Sequence, residues 1–208
     1  MKSSTSDYFA LLGEPHRPWL DPEGLKAKFL SLSSEFHPDH VGGTDPAEKS
    51  AAERRYAELN EAYQHLKKPK ERLQHLLETE TGAKPAQVQQ IPEDLMDLFM
   101  QVGNLLKQAD ALLKEKEQTT SPLLQVRCFE AGQVLTEQLV ELQKKLTERR
   151  QELLTELQAI DARWMDQART DAVARATMLR RLEQLYRLFS YYSRWEEQAQ
   201  ERIVQLAL

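Results

Sequence analysis

The chain has 208 residues, 40% of them hydrophobic and 29% charged, with a formal net charge of −5. That balance suits a soluble folded chain of one medium domain or two small ones rather than a disordered one. The acidic sign argues against a dedicated nucleic-acid binder, and no run of eighteen apolar residues is present to span a membrane.

Seven glycines and few strand-favouring residues make all-α the expected class. The single cysteine, Cys128, allows neither an internal disulfide nor a cysteine zinc cluster. It reads as a small core residue rather than a reactive thiol. Met1-Lys2-Ser3-Ser4-Thr5-Ser6 lacks the apolar stretch of a secretory signal, so a reducing, cytoplasmic setting is expected.

In chain order, Ser6 or Asp7 caps a short first helix whose apolar residues are Tyr8, Phe9, Leu11 and Leu12. A loop with Pro15, Pro18 and Trp19 follows. Asp21-Pro22 is a helix start, a capping side chain followed by a proline whose missing N–H costs nothing there. Leu25, Phe29, Leu32 and Phe36 recur at steps of four, three and four, on one helical face. Pro38 ends that helix, because the residue before a proline is pushed out of helical geometry. Thr44-Asp45-Pro46 starts the third helix, which runs to Lys68 with Tyr56, Leu59, Tyr63 and Leu66 as its stripe. The two stripes predict a helical hairpin with His37-Pro38-Asp39 held outward at its tip. A fourth helix opens at Pro69 and ends before Gly82. Residues 79–92 read as a linker, which divides the chain into domains at 1–83 and 84–208.

Beyond it, Pro92 starts a helix with Leu95, Met96, Phe99, Val102, Leu106, Ala109 and Leu113 on its apolar side, interrupted by Thr119-Thr120-Ser121-Pro122. From Gly132 onward neither glycine nor proline occurs, and one helix over that span would be roughly 110 Å long. A break is required, and Asp161 is the expected cap. Leu135, Leu139, Leu142, Leu146, Leu153, Leu157 and Ile160 form a near-heptad seam, with Arg149 and Arg150 where another leucine is due. Met178, Leu182, Leu185, Phe189, Tyr192, Ala199, Ile203 and Leu206 repeat the pattern in the last helix. Three such helices predict an antiparallel bundle, with an intermolecular coiled coil as the alternative.

Several chemistries could use the tip. His37, Asp39 and His40 could ligate a metal, but two histidines at i and i+4 on a helix are the stronger zinc pattern, and Pro38 prevents it. A His/Asp pair could do acid–base work, yet no Ser, Cys or Lys nucleophile accompanies it. The context decides. Tyr8-Phe9-Ala10-Leu11-Leu12-Gly13 precedes the tripeptide, and Leu59-Asn60-Glu61-Ala62-Tyr63-Gln64-His65-Leu66-Lys67-Lys68-Pro69 follows it. The segment resembles a J-domain, the module by which DnaJ-class co-chaperones stimulate ATP hydrolysis by DnaK-type chaperones. A J-domain followed by a helical bundle further resembles the HscB family of iron–sulfur cluster assembly. Ser6–Gly13, Pro69–Leu77 and Asp94–Met100 match locally, and Trp164 and Arg202-Ile203 fit the final segment. The likeness is dense through about residue 100 and loose afterwards.

The resemblance implies an all-α fold, a J-domain hairpin followed by an antiparallel three-helix bundle, that binds rather than catalyses and carries no cofactor or metal. His37, Pro38 and Asp39 would engage a DnaK- or HscA-type ATPase, with Lys26 and Lys28 steering it electrostatically or merely forming a solvated face. A client protein, an IscU-type scaffold, would bind at Leu95, Met96, Phe99, Tyr191 and Tyr192, if these are not simply core. No nucleic acid or membrane partner is implied. Gln101-Val102-Gly103-Asn104 replaces the family's glutamates, the bundle carries extra residues around 107 to 145, and His40 stands where J-domains usually have lysine. A helical scaffold whose J-like segment stimulates no ATPase is the alternative.

Overall fold

A computed structural model describes residues 6–36, 46–86, 91–167 and 171–207, and among them there is helix and no strand. The helices are α1 (Tyr8–Leu11), α2 (Pro22–Ser34), α3 (Pro46–Leu66), α4 (Pro69–Thr81), α5 (Met96–Gln118, entered through a 3₁₀ turn at Glu93–Leu95), α6 (Pro122–Gln167) and α7 (Ala172–Ala207). Local chemistry sets their ends. The Asp7 carboxylate accepts from the N–H groups of Phe9 and Ala10, and Asp21 accepts from Gly24 N at 2.7 Å. Gly82 stops α4 at φ 73°, where a side chain would be strained.

The chain forms two compact units, Met1–Ala86 with Leu154–Tyr186, and Gln87–Leu153 with Arg187–Leu208. The units divide after Ala86, Leu153 and Tyr186, where the sequence pattern predicts a single division at residue 84. The far ends of α6 and α7 belong with the N-terminal helices rather than with the rest of 84–208. The reason is Asp161. It is not a cap, because α6 runs through it to Gln167, and it is 3% exposed. Its Oδ1 accepts from Arg17 Nε at 3.0 Å and from Trp19 N at 3.1 Å, while Oδ2 pairs with Arg17 Nη2. One turn on, Trp164 Nε1 donates to His16 O at 2.9 Å. From α4, buried Arg72 donates to Pro18 O at 2.8 Å and to Leu66 O, the last carbonyl of α3, at 2.7 Å. Side chains of two helices thereby satisfy the backbone of a loop that has no ladder of its own. Arg175 of α7 packs its guanidinium over the Trp164 ring and pairs with Glu80 of α4. The cap of α7 is Asp171, accepting from Val173 N at 2.8 Å and Ala174 N at 3.1 Å.

The first helix is held by a ring cluster. Tyr8 stacks on His65 at 4.7 Å and lies 4.6 Å from His75, whose Nε2 accepts the Tyr8 N–H at 3.0 Å. The Tyr8 hydroxyl donates to Glu61, and burial together with that carboxylate raises its pKa to about 12.

In the second unit, α5, α6 and α7 share one core of Leu95, Val102, Leu105, Ala109, Leu135, Leu139, Leu142, Leu146, Tyr192, Trp195 and Ala199. Gln143 pairs with Gln200, and Arg150 lies 3.7 Å from Glu196, so α6 numbers rise as α7 numbers fall. A Cβ on buried Gly132 would meet Leu112 and Leu206, which sets the start of α6 against the ends of both neighbours. The three successive helices are antiparallel, as the leucine seams predict. Cys128 is buried at 5% exposure.

Two outcomes test the first unit. Asp161→Ala should cost about 2–4 kcal/mol in urea unfolding, because it strands Arg17 and the Trp19 N–H. Arg17, being partly exposed, should cost less when truncated. The second concerns His75, whose pKa burial lowers from 6.5 against the opposing pull of Asp7. The unfolded chain therefore takes up a proton that the folded chain resists, so this contribution is intact above the unfolded pKa and is lost as pH falls through the folded one. Thermal midpoints should drop between about pH 7 and 5.5 more steeply for wild type than for His75→Gln, which keeps an acceptor but does not titrate.

Candidate functional site

The α2–α3 pair flanks the tripeptide in the chain. Phe29 of α2 stacks on Tyr63 of α3 with centroids 4.5 Å apart and planes 8° from parallel. Leu25, Leu59, Ala62 and Leu66 are all at most 1% exposed. The hairpin's rods are mated, as the two stripes require. His37, Pro38 and Asp39, with His40 and the following residues through Asp45, lie outside the described residues, between Phe36 and the start of α3 at Pro46. Among the described residues no group of three His, Cys, Asp or Glu side chains could hold a metal.

The basic groups expected on α2 differ from one another. Lys26 is exposed. Lys28 is engaged: its Nζ lies 2.8 Å from Glu14 Oε1 and donates to Gly13 O at 3.1 Å. Its charge is locally compensated, which weakens any long-range steering from this helix.

On the second unit the expected client residues separate by depth. Leu95, at 7%, and Tyr192, at 3%, lie in the core and offer no surface for a partner. Their place follows from the helical repeat, which sets Leu95 in line with Val102 and Ala109 on the inward face of α5. Met96 is 43% exposed, Phe99 37% and Met100 53%. Met100 was not among the sequence candidates, though it lies one turn from Met96 on the same edge. Phe99 approaches Trp195 at 6.4 Å, and Trp195 stacks on half-buried Tyr191 at 5.5 Å. The result is an apolar strip along α5 backed by aromatic rings of α7. Gly103 continues it, and a Cβ there would meet nothing within 4 Å. Thioether and aromatic groups at a surface are what protein contact sites favour.

Residues 7–75 match the family model of the DnaJ domain. That segment is a J-domain. It spans α1 to α3 and most of α4, together with the tripeptide between the paired helices. Among solved structures, the chain is similar to the crystal structure of human co-chaperone protein HscB, at 16% identity over 95% of this chain and 82% of that one, with a TM-score of 0.56. It also matches chaperone HscB from Vibrio cholerae at 24% identity over 93% and 99% of the two chains, with a TM-score of 0.47. The human likeness establishes a shared helical fold. Among the described residues no helix is long and apolar enough to cross a membrane.

The division of α5 into core and strip is directly measurable. Leu95→Ala should cost about 2–4 kcal/mol in denaturant unfolding, as buried leucine truncations do. Met96→Ala should cost under about 1 kcal/mol, since that side chain is already near water.

Proposed function

We propose that the chain is a co-chaperone whose J-domain stimulates ATP hydrolysis by a DnaK- or HscA-type chaperone. Its second unit delivers a client protein, an iron–sulfur cluster scaffold of the IscU type. The observation that carries this reading is the DnaJ-domain match over residues 7–75, because that span holds His37-Pro38-Asp39 and both helices that frame it. The human protein that shares the fold is itself a co-chaperone.

Asp39 would accept charge-assisted hydrogen bonds from an arginine of the ATPase in a partly desolvated contact, and His37 would add a second polar anchor. Pro38 would keep the two apart at a fixed separation. The chain itself would catalyse nothing and would need no cofactor. Its binding would favour the ATPase conformation that hydrolyses ATP, by as much as its affinity differs between the two states. Lys26 would contribute modestly to encounter, and Lys28 less, since Glu14 holds it. The Met96–Phe99–Met100 strip, with Tyr191 beside it, would bind the client. A cytoplasmic setting accords with this role.

The Lys28–Glu14 pair favours a second reading, a helical scaffold whose J-domain stimulates no ATPase. A single-turnover ATPase assay with DnaK-type partners separates the two. Wild type should accelerate hydrolysis, and Asp39→Asn or His37→Gln should remove roughly tenfold of it, about 1.4 kcal/mol of differential binding. Absence of stimulation by wild type with every partner supports the scaffold. In a pull-down with a cluster scaffold, Met96→Ala/Phe99→Ala should lose retention; unchanged retention would remove the client assignment.

A further inference from the structure

The first turn of α1 is gripped by two histidines that share one carboxylate. His16 Nε2 lies 2.8 Å from Asp7 Oδ2, and His75 Nε2 lies 3.7 Å from Asp7 Oδ1. Fully buried Phe9 has both imidazoles against its ring, with centroids 5.1 and 5.6 Å away. The two histidines bond differently. His16 meets a carboxylate, an acceptor, so its Nε2 carries a proton whatever the charge of the ring. His75 meets the N–H of Tyr8, so its Nε2 presents a lone pair and the ring is neutral, with its proton on Nδ1. His65, the third imidazole here, touches Tyr8 through stacked ring faces. Among the three, His75 is the one at which proton uptake abolishes a hydrogen bond.

Uptake there sets two N–H groups against each other at 3.0 Å. The ring has no room to turn away, lying between Tyr8 at 4.6 Å and Phe9 at 5.6 Å in a residue only 6% exposed. Its nearest carboxylate oxygen is Asp7 Oδ1, which already accepts from the N–H groups of Phe9 and Ala10. The other acids around the cluster are engaged or farther off. Glu61 of α3 takes the Tyr8 hydroxyl, and Glu78, one turn along α4, acts on the ring from a distance.

We propose that His75 is an acid-operated latch for α1. One proton on its Nε2 removes the acceptor of the Tyr8 N–H and draws Asp7 from its cap on Phe9 and Ala10, so that α1 comes away from α4 while the rest of the unit stays folded. Three consecutive N–H groups lose their acceptors together, and a helix of four residues does not hold without them. The opening has a built-in stop. Residues 16–19 are tied to α4 and α6 through Arg72, Asp161 and Trp164, with no imidazole side chain in those bonds. Gly13, at φ 63°, is the joint between the released and the pinned parts. Burial lowers the His75 pKa from 6.5, which is the sign such a latch needs: the ring resists the proton while α1 is seated and takes it once α1 is off. Below about pH 6.5 the ratio of closed to open therefore falls by up to about tenfold per pH unit. The inference concerns the J-domain's own packing and does not depend on the function proposed above.

The test is hydrogen exchange on the full chain between about pH 7.5 and 5, corrected for the intrinsic exchange rate at each pH. Amides of residues 8–14 should lose protection by up to roughly tenfold per pH unit below about pH 6.5, while those at Trp19 and around Asp161 keep theirs. His75→Gln keeps an acceptor for the Tyr8 N–H but does not titrate, and it should abolish the pH-dependent loss. His16→Gln and His65→Gln should leave it in place. Nitrogen NMR of the wild-type imidazoles gives a check free of any variant: His75 Nε2 should be unprotonated at pH 7.5 and gain its proton in step with the loss. Protection that stays flat to pH 5, or a loss shared equally by the Asp161 region, would overturn the proposal. So would a loss that persists in His75→Gln or follows His16 or His65 instead, or a His75 Nε2 already protonated at pH 7.5.

Discussion

The carboxylate of Asp161 joins two distant stretches of chain into one unit. It sits on the inward side of a 46-residue helix and receives three donors, two from Arg17 and one from the backbone of Trp19. A buried carboxylate with fewer partners would be costly enough to destabilise the helix that carries it. With three, it becomes a fixed point for the loop between α1 and α2. Trp164 and Arg72 take further backbone groups of the same loop, so the entry to α2 is set by side chains from α4 and α6. The orientation of α2, and with it the α2–α3 frame, inherits that constraint.

The frame itself is simpler. Two apolar stripes meet and one ring pair stacks. Arg72 illustrates how firmly the base of the hairpin is built. Burial lowers its pKa to about 10, so it remains a cation, and its donors go to the final carbonyl of α3 and to the loop. A charge placed at a helix C-terminus in this way satisfies an orphan acceptor and the helix dipole together.

The bundle helices show how far a repeat can mislead when two faces are apolar. On α5 the eye groups Leu95, Met96 and Phe99, yet the core takes Leu95 and leaves the other two at the edge. Leu105 packs inward more deeply than Leu106, which the sequence pattern favoured. On α6 the leucine seam is as expected, and Arg149 and Arg150 interrupt it by pairing with Glu152 and Glu196 at 3.0 and 3.7 Å.

Helix identity was legible in the residues themselves. Caps such as Asp7 and Asp21, prolines at first positions and Gly82 act through nearest neighbours, and so do the stripes that mate α2 with α3. The J-domain segment was equally plain as sequence, because the resemblance rests on the runs that flank the tripeptide. What the sequence could not assign was Asp161. An aspartate within a helical pattern reads as a cap, since its carboxylate competes for local backbone N–H groups. Its partners lie more than 140 residues away in the chain, and no local rule reaches them. The tertiary structure moved the break to Asp171 and gave the ends of α6 and α7 to the first unit. It also sorted Leu95 and Tyr192 from Met96 and Phe99, because a side chain's depth depends on which neighbouring helix covers it.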